Sequence, residues 1–323
     1  MFDLIIDFIN SVIRMATPLI FVAICSNLSE QAGLLNMASE SMMLSAALGG
    51  VMISAFFQNA WLGVLGGAGV AVLITLLLCF AAFVMKVDLY LMSISLNMAL
   101  TAGTVFFMYI ATGSKATTAG AIQSKSLGDL HIPFIEDIPI LGDIISGQNI
   151  FTYLAIIFTI LVWVLLFKTK LGLRMRAVGQ NPLAAESVGI NPRVIYTVAF
   201  AIAGFVAAFG GMYLSMGYQS FFARNLTAGR GFVGLAASSI ANAQPILSAV
   251  IALLFGIAYA STNYLKPFIA DQYMLTSVPF VLIIILYFVM AGYRTWEKSH
   301  AEKKKVKQLQ AMTETVETAE AVE

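Results

Sequence analysis

Two charged residues, Glu40 and Arg230, stand inside stretches of the sequence that are otherwise free of charge. A carboxylate within a membrane is costly unless it is paired or reached by water, so Glu40 is the strongest candidate for a functional residue. The alternative is that Glu40 lies at the interface, near the cytoplasmic end of its helix. Arg230 has a similar alternative, because its long side chain can extend to the membrane surface.

Other polar residues within the apolar stretches are uncharged, as the path of a small polar solute requires. Asn97 and Thr101 are one helical turn apart, and so are Asn36 and Glu40, so each pair is expected to face one way. These four residues and Asn242 form the predicted substrate pathway. Aromatic side chains along it would suit a solute that contains a flat ring.

The sequence contains no constellation of a nucleophile, a base and a metal site. His131 and His300 lie outside the apolar stretches, and Cys25 and Cys79 lie within them without metal-ligand spacing. We therefore predict no catalytic residue, no metal site and no enzyme activity, and interpret the cysteines as packing residues. The chain also lacks a G-x-x-x-x-G-K-[ST] sequence, so we expect it to bind no ATP and no other cofactor.

The composition is that of a polytopic membrane protein. Hydrophobic residues make up 59% of the chain, charged residues 11%, and the mean hydropathy is +0.87, whereas soluble domains are about 25% charged. We predict an all-α transmembrane helical bundle of about 9–10 spans. The near balance of 18 basic and 17 acidic residues gives no argument for a nucleic-acid partner.

The predicted transmembrane domain covers residues 15–293. Its spans are placed near 15–28, 36–57, 61–85, 91–111, 150–167, 194–217, 245–264 and 275–293. A ninth candidate, residues 229–243, is short and rich in small residues, so it is either a tilted crossing or a re-entrant piece packed inside protein. Residues 1–14 are predicted to form a separate amphipathic helix at the interface.

The distribution of basic residues predicts the orientation. Residues 168–193 hold five lysines or arginines against one acid, so we predict a cytoplasmic loop there. Residues 294–323 begin with a run of basic residues, so we predict that they form a cytoplasmic tail, which we expect to be disordered. Residues 112–149 carry more acidic than basic residues and are predicted to lie outside. The tail reaches the cytoplasm only if residues 229–243 also cross.

A short capped helix is predicted within the basic loop. Asn181 suits the N-cap, Pro182 the first helical position and Gly189 the C-terminal stop. Two turns of helix are too short to be stable alone in water, so neighbouring spans or a partner must hold it. From these residues alone, an ordinary connecting loop and a docking element for a cytoplasmic partner both remain open.

The stretch GLRMRAVGQNPLAAESVGINPRVIYTVAF closely resembles the coupling region of permease subunits of ABC importers, in the branch that serves simple sugars, nucleosides and branched-chain amino acids. Two other stretches, ATPLIFVAICSNLSEQAGLLNMASESMML and GRGFVGLAASSIANAQPILSAVIALLFG, resemble the family's early motif and its late Gly-rich crossing. The sequence after Thr17-Pro18 is most similar to the second permease of nucleoside importers of the basic membrane protein type.

The resemblance implies that the short helix rests in a groove of a separate ABC ATPase, which is the subunit that uses ATP. The coupling residues that match the motif are Arg176, Gly179, Asn181, Pro182, Ala184, Ala185 and Gly189. Further implied partners are a second related permease, an extracytoplasmic substrate-binding protein and the lipid of a bacterial cell (inner) membrane, which the chain crosses several times.

The function implied is that of half a translocation pathway for nucleosides. A ribose-like sugar or a branched-chain amino acid is the alternative cargo, and a secondary transporter driven by an ion gradient is the alternative of another class. The chain departs from the family where Ala38, Ser39 and Ser41 flank Glu40 in place of glycines, and where Ala243 replaces an aromatic. These departures leave the cargo open.

Overall fold

The protein is an all-α bundle in the computed structural model, which describes residues 2–130, 146–266 and 277–290, together with Gly292 and Trp296. The predicted fold class is confirmed. The predicted tail over 294–323 lies outside the described residues except for Trp296, as do residues 131–145 of the predicted outer segment.

Eleven α-helices are found in the described ranges. They are α1 (Phe2–Gln31), α2 (Ser39–Phe57), α3 (Ala60–Cys79), α4 (Leu89–Thr112), α5 (Ile150–Lys168), α6 (Lys170–Gln180), α7 (Pro182–Ser187), α8 (Pro192–Met212), α9 (Arg230–Ile240), α10 (Pro245–Leu265) and α11 (Ser277–Met290). Two π-helical segments, Phe80–Val84 and Tyr213–Tyr218, extend α3 and α8. A short antiparallel pair joins β1 (Asp129–Leu130) to β2 (Gln148–Asn149).

The chain divides into two units, Met1–Pro279 and Phe280–Glu323. The first contains α1 to α10, and the described part of the second consists mainly of the rest of α11. Within the described residues, seven helices are long and apolar enough to cross a membrane: α1, α2, α3, α4, α5, α8 and α10, with α3 and α8 counted together with their extensions. The shorter helices α9 and α11 occupy the places of the two other predicted spans.

The start of the chain differs from the prediction. Residues 2–14 do not form a separate interfacial helix but are continuous with the first span in α1. The reason is that polar side chains along one face leave the backbone hydrogen bonds from residue i to i−4 intact. Pro18 lies inside α1 without ending it.

Side-chain caps fix the starts of several helices. Asn59 accepts a hydrogen bond from the backbone N–H of Trp61 at 2.9 Å to start α3, and Asp88 accepts one from Leu91 at 2.9 Å to start α4. Asn149 starts α5 in the same way. Because the first N–H groups of a helix have no partner within it, these caps place the helix ends.

The two ends of the first unit carry different features. We call the end with α6 and α7 the basic end, because the cationic side chains of residues 168–193 belong to it. At the other end, which we call the far end, Phe222 O accepts a hydrogen bond from Thr118 N at 2.9 Å and Ser220 O one from Ser124 N at 2.9 Å. The segment before α9 therefore lies against the segment after α4.

Helix α9 is a half-length helix inside the bundle. Its 11 residues rise about 16 Å, roughly half of a hydrocarbon core that is about 30 Å thick. Gly234 packs against Val22 and Ala23 of α1, and Ser239 contacts Glu30 further along. The two helices therefore run in the same direction, toward the basic end. The predicted ninth span is thus a half-length helix preceded by irregular backbone.

Small residues let α2, α3 and α8 approach one another closely, as packing within membranes requires. A Cβ on Gly67 would lie 2.8 Å from the carbonyl oxygen of Ala46 and 2.6 Å from Met212 Sδ. Gly69, two residues further along α3, is exposed and would meet nothing within 4 Å. Gly67 is therefore closely packed and Gly69 is not, although both are glycines of the same helix.

We expect Gly67→Ala to lower the free energy of unfolding by about 1–3 kcal/mol, because the added methyl group overpacks the contact of α3 with α2 and α8. The matched variant Gly69→Ala should leave it unchanged or raise it slightly, since alanine favours helix. Thermal melting of the two purified proteins in detergent, followed by fluorescence, measures both. Equal melting temperatures would contradict the packing described for Gly67.

Candidate functional site

A cavity of about 740 Å³, which we call the main cavity, lies beside the start of α2, the middle of α4 and the segment that leads into α9. Its volume is in the range of about 300–1,000 Å³ that small-molecule sites have. The apolar lining includes Ile94, Met98, Val105 and Phe232. The polar lining consists of Glu40, Asn97, Thr101, Lys115, Arg224 and Asn225.

Glu40 is almost fully buried, and its carboxylate is held by three hydrogen bonds. Oε1 accepts from the Thr227 hydroxyl at 2.5 Å and from the Gly229 N–H at 2.8 Å, and Oε2 accepts from the Gly231 N–H at 2.6 Å. Gly229 and Gly231 belong to the start of α9, where free N–H groups and the helix dipole favour a negative charge. The carboxylate therefore caps α9 from α2.

Asn97 is used in the same region to hold the chain that enters α2. Its Oδ1 accepts from the Ser41 N–H at 3.0 Å, and its Nδ2 donates to the Met37 carbonyl at 2.8 Å. Thr101 follows one turn along α4, and its hydroxyl donates to the Asn97 carbonyl at 2.7 Å. Both residues line the main cavity on one face of α4, as their spacing predicts.

The predicted pairing of Asn36 with Glu40 on one helix face is wrong. Helix α2 begins at Ser39, so Asn36 precedes it and no helical turn separates the two residues. Asn36 is fully buried, its Oδ1 accepts from the Ala38 N–H at 3.1 Å, and it is absent from the lining of the main cavity. The Asx-type turn at Asn36 explains the later start, since asparagine favours such turns.

Asn242 lies at a different place from the other predicted pathway residues. It lines a second cavity of about 450 Å³ at the basic end, together with Glu30, Gln31, Arg176 and Ser239. The chain reverses sharply here, because Asn242 and the residue after it both have φ of +53°. The predicted pathway set is therefore split between two cavities.

Three polar lining residues and one aromatic were not predicted from the sequence: Lys115, Arg224, Asn225 and Phe232. Arg224 reaches the main cavity because its N–H donates to the Ala116 carbonyl at 2.9 Å, which ties the segment before α9 to the chain after α4. That pairing joins segments more than 100 residues apart, so local sequence patterns do not reveal it. Phe232, on α9, is 44% exposed and presents an aromatic ring.

Arg230 does not extend freely to a surface. Its guanidinium donates to the carbonyls of Leu226 at 3.2 Å and Thr227 at 3.4 Å, and it lies over the Tyr259 ring at 5.5 Å from the ring centre. These contacts fold the arginine back onto the chain that leads into α9. Arg230 therefore supports the same irregular segment that Glu40 caps.

The short helix α7 forms as the sequence predicts. Asn181 accepts from the Ala184 N–H at 3.0 Å, Pro182 is its first residue, and Gly189 adopts φ of +86° as its N–H donates to the Glu186 carbonyl. Leu183 is 77% exposed.

Ala185 faces the other way from Leu183, since it is only 4% exposed. The predicted coupling residues therefore do not form one outward surface. Two of them, Arg176 and Gly179, line the second cavity. The Arg176 guanidinium also lies over the Phe167 ring at 5.0 Å.

Helix α6 touches the end of α1 through two glycines. A Cβ on Gly33 would lie 2.8 Å from Gly179 Cα, and one on Gly179 would lie 2.9 Å from Gly33 N. Gly33 also has φ of +88°, which disfavours any other residue. Helix α6 and the loop after α1 are thus connected by a backbone contact.

Among the described residues, no group of three histidine, cysteine or acidic side chains is placed to hold a metal.

Residues 8–290 match the protein family described as the permease component of the branched-chain amino acid transport system. The guanosine ABC transporter permease protein NupQ of Bacillus subtilis is 30% identical over 84% of this chain and 87% of its own length. The nucleoside ABC transporter permease protein NupC of Lactococcus lactis is 30% identical over 86% of this chain and 90% of its own.

A third relative, the putative glucose ABC transporter permease protein TsgC13 of Haloferax volcanii, is 29% identical over 77% of this chain and 74% of its own length. The family match covers most of the chain, including the helices around both cavities and α7. The seven long apolar helices agree with a multi-pass protein of the cell membrane. The chain therefore belongs to this permease family and is the membrane permease subunit of an ABC importer.

Proposed function

We propose that this chain forms half of a membrane pathway for nucleosides and is driven by a separate ATPase that docks on α7. The observation that carries the proposal is the main cavity, in which the uncharged Asn97, Thr101 and Asn225 and the charged Glu40, Lys115 and Arg224 stand among apolar side chains. Such a mixed lining suits a solute that has one flat apolar part and one polar part. The names of the guanosine and nucleoside relatives support the same class of cargo.

The cavity offers separate surfaces for the two parts of a nucleoside. Phe232 and Met98 provide apolar contact for a base, and an aromatic ring gains from stacking on a flat ligand. Thr101 and Asn225 provide hydroxyl and amide groups for a sugar. Glu40 is not needed as a ligand, because both carboxylate oxygens already accept hydrogen bonds from the protein.

A second, related permease is proposed to complete the wall of the main cavity. Helix α4 supplies much of the lining. Of an 18-residue apolar stretch of this helix, only 17% is buried within this chain. Phe106 and Met98 of α4 are among its exposed large side chains. An extracytoplasmic binding protein is proposed to deliver the cargo at the far end, and the ATPase to hydrolyse ATP at the basic end.

Replacing the aromatic ring tests the cargo. We expect Phe232→Ala to raise the KM for nucleoside uptake about tenfold, because a stacking contact worth about 1.4 kcal/mol is lost, while Phe232→Tyr stays within about twofold. Uptake of labelled guanosine, uridine, ribose and glucose into cells that contain each variant is the measurement. Saturable uptake of a sugar but of neither nucleoside would overturn the proposed cargo.

A charge on the exposed face of α7 tests the docking of the ATPase. We expect Leu183→Arg to reduce uptake at least tenfold and to prevent copurification of the ATPase subunit, because a desolvated arginine has no partner in an apolar groove. Leu173→Arg is the matched control: Leu173 is 61% exposed, also at the basic end, but on α6. Ala185→Arg is a poorer test, since that residue is buried within this chain.

Normal uptake by Leu183→Arg, together with loss of uptake when an ionophore removes the ion gradient, would favour a secondary transporter instead. An equal loss in Leu173→Arg would mean that docking is not confined to α7. The protein level in the membrane is measured for each variant, so that a failure to insert is not mistaken for a failure to couple.

A further inference from the structure

Helix α9 is held by carboxylates at both of its ends. Glu40 of α2 binds its N-terminal end beside the main cavity, and Glu30 of α1 binds its C-terminal end beside the second cavity. A buried or half-buried carboxylate is costly unless hydrogen bonds compensate for the loss of water. Two such groups on one 11-residue helix therefore tie its position firmly to the helices around it.

The contacts at the C-terminal end are made by two serines. The Ser239 hydroxyl donates to Glu30 Oε1 at 2.9 Å, and the Ser238 hydroxyl lies 2.9 Å from Glu30 Oε2 and 2.5 Å from Asn27 Oδ1. Asn27 Oδ1 also accepts from the Ser248 hydroxyl of α10 at 2.9 Å. One polar cluster thus joins α1, α9 and α10.

The chain just after α9 is fixed to α1 as well. The Gln31 side-chain amide donates to the carbonyl of Ala243 at 3.0 Å. Asn242 and Ala243 both adopt φ of +53°, a conformation that costs free energy in residues other than glycine and persists only where the surroundings hold it. The strained reversal after α9 is therefore held in place by the end of α1.

The end of α1 leads directly to the ATPase-docking region. Gly33, two residues beyond Gln31, packs on Gly179 of α6 with no room for a Cβ on either. Helix α6 is followed by α7 after a single residue, Asn181. A continuous series of close contacts therefore runs from α7 through α6 and the end of α1 to α9, and from α9 to the main cavity.

We propose that α9 acts as a lever that transmits movement of α7 to the main cavity, and that Glu30 and Glu40 are its positioning residues. The proposal rests on the proposed function, since it needs an ATPase that moves α7. The two carboxylates act through α9 rather than on cargo: their oxygens face serine hydroxyls at one end, and two backbone N–H groups and the Thr227 hydroxyl at the other.

The two ends differ in the chemistry of their donors, which gives a sharp test. A serine hydroxyl can accept as well as donate, so Glu30→Gln retains two hydrogen bonds. A backbone N–H can only donate, so in Glu40→Gln the new NH₂ group faces the N–H of either Gly229 or Gly231; on the Oε1 side it can donate to the Thr227 hydroxyl, but the Gly229 N–H still loses its acceptor. The same substitution is therefore tolerated at one end of α9 and not at the other.

The test uses the complete importer, with its ATPase, second permease and binding protein, in proteoliposomes. Guanosine imported and ATP hydrolysed are measured in the same vesicles, and their ratio is the readout. We expect Glu40→Gln and Glu30→Ala each to lower the ratio at least fivefold with the KM for uptake within twofold. Glu30→Gln should stay within twofold of the unchanged protein, as should Asp7→Asn, which removes an exposed acid of α1 remote from α9.

The double variant of Glu30→Ala and Glu40→Gln distinguishes one lever from two separate effects. A single lever that is released at either end is already uncoupled, so the double variant should be within twofold of the worse single variant. A multiplicative loss would overturn the proposal, and so would an unchanged ratio in both single variants. A raised KM for Glu40→Gln with an unchanged ratio would also overturn it, because Glu40 would then contact cargo.

Failure of the proposed function has a different signature. If the unchanged importer carries guanosine without ATP hydrolysis, both proposals fall. If it couples the two but the variants at Glu30 and Glu40 couple equally well, only the lever is wrong. Ser239→Ala, which removes one of the bonds to Glu30, provides a milder variant that should lower the ratio about twofold even if Glu30→Ala does not insert.

Discussion

The hydrogen bonds between the Glu40 carboxylate and the N-terminus of α9 are the constraint on which the site depends. A helix that begins inside a membrane protein leaves its first N–H groups without water and without intrahelical partners. The Glu40 carboxylate is almost fully buried, and burying such a charge without partners costs several kcal/mol. Each group satisfies the other, so the charge in α2 and the half-length α9 depend on one another.

Glycine makes this joint between α2 and α9 possible. A Cβ on Gly231 would lie 2.6 Å from Glu40 Cα and 2.6 Å from its Oε2, so any side chain there would displace the carboxylate. Gly229 has φ of +80°, which lets the chain turn into the helix. Gly234 then allows α9 to lie directly against α1. Since lipid gives no hydrophobic drive for helices to associate, such close backbone contacts replace it.

Much of the fold follows from the sequence because it depends on local patterns. The apolar runs predict the long helices, and Asn181, Pro182 and Gly189 predict α7 from its caps alone. Glu40 was identified from the cost of a charge among apolar residues. The sequence does not reveal which groups form hydrogen bonds with the Glu40 carboxylate, since Thr227 and Gly229 lie nearly two hundred residues further along the chain.

The structure differs from what the local pattern suggests where tertiary contacts decide. Asn36 forms a turn instead of the first turn of α2, and residues 2–14 extend the first span instead of forming a separate helix. Asn242 is polar and within a predicted span, but the reversal after α9 places it at the basic end. Lys115 and Arg224 reach the main cavity only because the segments at the far end pair with each other.

The contact between α2 and α9 also explains Ser39 and Ser41, which stand where members of the family have glycines. The Ser39 hydroxyl lies 3.3 Å from the carbonyl of Gly231, and the Ser41 hydroxyl donates to the Ala38 carbonyl at 2.7 Å. Both hydroxyls are therefore directed at the backbone around the joint, and neither serine lines the main cavity. The sequence suggested that these serines leave the cargo open. Their contacts indicate instead that Ser39 links α2 to α9 and that Ser41 stabilises the start of α2, so the groups that select the cargo are to be sought on α4 and at Phe232.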